Sequence, residues 1–147
     1  MFDKGMFYKI LVPVDGSEYA ERAVRTAVEI AERYEAEVTL IHVVEKHIYA
    51  YSSHEFAPVV VSSQELEDEG KEILRRSKEI AESLGKSVDT MLVSGVPAEE
   101  ILKLAETEKF DLIVVGSRGL SRVKSFLLGS VSDKICHHAS CPTLVIR

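Results

Sequence analysis

The sequence predicts an α/β domain: one open parallel sheet of five strands in the order 3-2-1-4-5, Rossmann-like, with helices on both faces. Three observations predict it. Short apolar runs alternate with helix-period patterns as βαβαβαβαβ, the arrangement that places helices over a parallel sheet. The first, second and fourth runs are almost continuously apolar, as in strands covered on both faces, whereas Asp89 and Thr90 interrupt the third and suit it to an edge. The chain of 147 residues has the length of one domain, residues 1–147.

The first strand is expected over residues 8–14 (YKILVPV). Asp15, Gly16 and Ser17 then make a turn and a helix cap, and Glu18 and Glu21 favour the positive end of the helix dipole. The first helix runs to about Tyr34, with Ala20, Ala23, Val24, Ala27, Val28 and Ala31 on one stripe. A second strand covers residues 37–44 (EVTLIHVV). Residues 45–61 are irregular and rich in rings (His47, Tyr49, Tyr51, His54, Phe56), which leaves a flap, a subunit contact and an ordinary surface loop as open readings.

The second helix starts at a capping box, Ser62 with Glu65, turns Leu66, Ile73, Leu74, Ile80, Ala81 and Leu84 inward, and stops at Gly85. A third strand is expected over residues 87–93. The third helix opens with Pro97 and acidic Glu99 and Glu100, and buries Ile101, Leu102, Leu104 and Ala105. Residues 111–115 form the fourth strand, residues 130–139 a short helix, and residues 142–146 the last strand.

A net charge of −6 argues against nucleic acid and anionic membrane as partners. Two cysteines do not make a disulfide framework, no run has the roughly 18 apolar residues of a membrane span, and MFDKGMFYKI lacks the apolar core of a signal peptide. The expected location is cytoplasmic.

In this acidic chain the stretch GSRGLSRVKSFLLGS, residues 116–130, is locally basic and carries Gly116, Gly119 and Gly129. A strand, a glycine-rich loop and a helix start together form a phosphate cradle of backbone amides. The sheet order reverses between strands 1 and 4, where ligands of such sheets bind, and the loops leaving those strands carry Asp15 and this stretch. Composition and topology therefore lead to one nucleotide site. Asp15 has two uses open to it, capping the helix and holding a ribose. Arg118, Arg122 and Lys124 are either phosphate contacts or a solvated face. CHHASC, residues 136–141, has no common zinc spacing and is taken as structural. Neither GxxxxGK[ST] nor GxGxxG occurs. Asp111, at the amino end of its strand, is expected on the opposite rim in a structural role.

Gly116, Gly119, Gly129 and Ser130 follow the spacing Gly, two residues, Gly, nine residues, Gly, Ser. Together with PVDGSE (13–18), HVVE (42–45), SGVPAEEI (94–101), GSVSDKI and CPTLVIR, this resembles the ATP-binding subgroup of the universal stress protein family over essentially the whole chain. The resemblance implies that Asp15 holds the ribose hydroxyls, with Pro13 and Val14 beside it, and that the Val43 backbone contacts adenine. It implies that amides around Gly116, Gly119, Gly129 and Ser130, with the Ser130 and Ser132 hydroxyls, hold phosphates; Arg118 and Val131 complete the candidate set. ATP, or AMP or ADP, would be accompanied by Mg2+, with no catalytic residue evident. The expectation is an adenine-nucleotide-binding regulatory protein of the stress response with little or no hydrolysis. The rivals are a slow ATPase or adenylyl-transferring enzyme, and a structural dimer module with no ligand. The strand Thr143–Ile146, apolar and at a sheet edge, is expected to pair with its copy in a homodimer.

Overall fold

The computed structural model describes residues 5–45, 63–119 and 128–147. Strand β1 (Lys9–Pro13) leads through α1 (Glu18–Tyr34) to β2 (Glu37–Val44), and α2 (Ser63–Ser83) leads to β3 (Asp89–Ser94). Then follow α3 (Pro97–Thr107), β4 (Leu112–Gly116), α4 (Ser130–His138) and β5 (Thr143–Ile146). The five strands form one parallel sheet in the order β3-β2-β1-β4-β5, as expected, with the polar third strand at an edge.

Alternation along the strands divides the core into two layers. Ile10, Val12, Val38, Leu40, Leu112 and Val114 pack under α1 and α2, against Ala23, Val24, Ala27, Ile73 and Leu74. Leu11, Ile41, Val43, Ile113 and Val115 face α3 and α4, against Ile101, Ala105 and Ile135. The alanine stripe of α1 lets its backbone lie close to the central strands. Ser17 caps this helix, its hydroxyl accepting the Ala20 N–H at 3.1 Å.

Asp111 has the structural role expected of it. Its carboxylate accepts the N–H of Tyr8 (2.9 Å) and of Lys9 (3.2 Å to the same oxygen), tying β1 to β4 at the amino rim. Gly85, at φ 84°, ends α2 in a Schellman turn, with Lys86 N–H on the Ala81 carbonyl and Gly85 N–H on that of Glu82. The inward face of α2 differs from expectation. Leu84 is 39% exposed, because the helix has ended at Ser83 and the chain is already turning. Gly70 and Ser77 are buried instead, since α2 lies so near the sheet that a Cβ on Gly70 would stand 2.7 Å from the Leu92 side chain. The Ser62 cap and the ring-rich residues 46–61 lie outside the described residues. Among the described residues no helix is long and apolar enough to cross a membrane.

Candidate functional site

A cleft of about 500 Å³ opens at the carboxyl ends of the strands, over the gap between β1 and β4. Pro13, Val14 and Asp15 leave β1 at one lip. Gly116, Arg118 and Gly119 leave β4 at the other, with Gly129, Ser130, Val131 and Ser132 behind them. Val43 closes the end formed by β2. All eleven expected residues thus line the same cleft. Sequence reasoning missed the apolar wall of Ile41, Ile101 and Val115, together with Pro97, His42 and Leu128.

The three glycines have three different physical reasons. A Cβ on Gly116 would lie 2.8 Å from Tyr19 Cβ and 2.9 Å from the Tyr19 carbonyl carbon, so this glycine admits the first turn of α1 to the end of β4. A Cβ on Gly119 would lie 2.5 Å from Asp15 Oδ2. Its absence makes room for a carboxylate, whose other oxygen accepts the Ser17 N–H at 2.9 Å. A Cβ on Gly129 would stand 3.2 Å from the Ser117 carbonyl. Gly129 N–H donates to that carbonyl at 2.7 Å, which corrects the expectation that this amide is offered to an anion. Ser132 is corrected as well: its buried hydroxyl donates to the Ser117 and Gly129 carbonyls, at 3.0 Å each, and clamps the base of the loop.

The backbone donors left over near the cleft lie in the first turn of α4. The first internal bond of that helix runs from Asp133 N–H to the Gly129 carbonyl, so the amides of Ser130, Val131 and Ser132 have no acceptor within the helix. They carry the positive end of the helix dipole at the cleft. The Ser130 side chain is exposed there. Arg118 lines the same region, whereas Arg122 and Lys124 lie outside the described residues.

At the opposite end, the backbone phase of β2 is fixed by two bonds. Val14 N–H donates to the Ile41 carbonyl (2.8 Å), and Gly95 N–H donates to that of Val44 (3.0 Å). A strand residue turns its N–H and C=O to the same side, and successive residues alternate. The Val43 N–H and C=O therefore point toward β1, at a level where β1 has already left the sheet. His42 Nδ1 lies 2.7 Å from the Val14 carbonyl. Asp15 does not itself cap α1, whose cap is Ser17; one of its oxygens holds the Ser17 N–H, and the carboxylate borders the cleft.

Among the described residues, CHHASC included, no group of three or more His, Cys, Asp or Glu is placed to hold a metal ion. Cys136 is exposed on α4. Burial, with Asp111 nearby, pushes the Cys141 thiol above its ordinary range and keeps it in the unreactive protonated form.

The family model described as the universal stress protein family matches residues 6–147. The chain belongs to the universal stress protein family. Universal stress protein MJ0531 of Methanocaldococcus jannaschii is 37% identical over 144 residues, spanning 98% of this chain and 84% of its own. UspA of Lactobacillus plantarum superposes with a TM-score of 0.79 at 31% identity, covering 97% of this chain and 99% of that one. A universal stress protein solved in complex with cAMP gives a TM-score of 0.75 at 27% identity, covering 97% and 99%. The fold of this universal stress protein, with its order β3-β2-β1-β4-β5, thus superposes on that of its structural relatives over nearly the whole chain.

Proposed function

We propose that this universal stress protein binds an adenine nucleotide in the cytoplasm, ATP with Mg2+ or its AMP or ADP counterpart, as a regulatory element of the stress response with little or no turnover. The observation that carries this reading is the pairing of two backbone features across one cleft. At one end, the Val43 C=O and N–H match the N6 amino group and N1 of adenine. At the other, the first turn of α4 offers amides to phosphate. Between them Ile41 and Val115 would supply an apolar wall for the base, and Asp15, which lines the cleft at the switch point, would accept a ribose hydroxyl. The relative solved with cAMP adds support from a similar fold. Mg2+ would be held chiefly by phosphate oxygens and water, since the described residues offer no cluster of ligands for it.

ATP at ~100 times its dissociation constant should stabilise the protein by about 2.7 kcal/mol. This raises the melting temperature by roughly 5–11 °C. GTP should do less, because guanine sets an N1–H donor against the Val43 N–H. A melting curve unmoved by ATP would overturn the reading, and sustained Mg2+-dependent release of ADP or AMP would move it to a slow ATPase.

We also infer a homodimer. β5 is an edge strand with Leu144 38% exposed, and a second copy would pair that edge about a two-fold axis. Sedimentation at micromolar concentration should give a dimer; a monomer would refute the pairing.

A further inference from the structure

We propose that His42 is a positioning residue that keeps the Val43 amide available to the base and thereby sets the preference for adenine; this rests on the adenine-nucleotide reading above. The β1–β2 ladder runs in register from Lys9↔Glu37 to Pro13↔Ile41, and Val14 N–H still donates to the Ile41 carbonyl. In a parallel ladder the next bond would take Val43 N–H to the Val14 carbonyl. Here the imidazole occupies that carbonyl, with His42 Nδ1 2.7 Å from the oxygen. A carbonyl only accepts, so Nδ1 carries the proton and the ring is the donor. A side chain has thus replaced the backbone donor of its own neighbour, and the Val43 N–H is left facing the cleft.

The ring is held from the far side as well. A Cβ on Gly70 of α2 would stand 2.8 Å from His42 Cδ2 and 3.4 Å from Nε2. The glycine lets α2 lie against the imidazole, and this contact keeps the ring turned toward Val14. Without the imidazole the Val14 carbonyl has lost its donor, and the ladder can close by one further bond at the expense of the base.

The test compares ATP with 1-deaza-ATP, in which the acceptor at N1 is replaced by C–H. The wild type should prefer ATP about tenfold, the worth of one such hydrogen bond. In His42→Leu the two should bind about equally, because Val43 N–H is consumed by Val14. His42→Asn, whose amide nitrogen can stand in for Nδ1, should restore the preference. Gly70→Ala, a better helix former that displaces the ring, should lower it. A ratio measured within one protein is unmoved by uniform weakening of binding, so a merely structural role would leave it unchanged.

Hydrogen exchange reads the same point without a variant. In the ligand-free wild type the Val43 amide should exchange far faster than that of Ile41 and become protected by ATP. An undiminished ratio in His42→Leu, or a protected Val43 amide in the free protein, would overturn the role of His42 while leaving nucleotide binding intact. A wild type that binds neither nucleotide would overturn both.

Discussion

Gly119→Ala should lower the affinity for ATP about 10- to 100-fold while the melting temperature of the free protein falls by no more than about 4 °C. The added methyl would stand 2.5 Å from Asp15 Oδ2, too close for the carboxylate to keep its place. What gives way is the end of a side chain, so the backbone is spared. Rotation of the carboxylate would remove the charged hydrogen bond proposed between Asp15 and the ribose, worth about 1.5–3 kcal/mol. It also weakens the bond to Ser17 N–H, a local loss of about 1 kcal/mol. Titration calorimetry of ATP with both proteins checks this, and an affinity within twofold of the wild type would count against a ligand role for Asp15.

Gly116→Val should do the reverse, costing about 3 kcal/mol of stability and roughly 6–12 °C in melting temperature. Here the wall is main chain: Tyr19 carbonyl carbon at 2.9 Å and Ala20 nitrogen at 3.1 Å from the would-be Cβ. The first turn of α1 is fixed by the Ser17 cap and by the alanine stripe beneath it, so it has little room to retreat. Calorimetric melting measures the loss. A shift under 2 °C would show that α1 can back away. Two glycines of one motif are therefore expected to separate, one acting on the ligand and the other on the fold.

That division was not legible in the sequence. Spacing located the loop, and topology located the crevice, because both depend on local pattern and on the alternation of strands and helices. What a missing side chain makes room for depends on which distant atoms arrive, here Tyr19, Asp15 and Ser117. His42 was legible only as part of a run, since its bond to Val14 joins two strands through a side chain. Helix ends show the same limit. Gly85 announced the end of α2, but α1 and α3 end with Glu35 and Lys109 in the left-handed region, at φ 56° and 54°, residues that carry no such signal. The inward face of α2 misled at Leu84 because the helix has already ended at Ser83, and at Gly70 because what buries that position is closeness to Leu92 and His42, which hydrophobicity does not signal.

The central strand has side chains at both of its extremities. The carboxylate of Asp111 gathers the amides where it begins, and the imidazole of His42 takes the carbonyl just after it finishes. Sliding by a single residue would break both fastenings and exchange the side chains packed under α1 and α2 with those packed under α3 and α4. β1 is thereby indexed like a key in a lock, and the cleft inherits its dimensions from a strand that cannot creep.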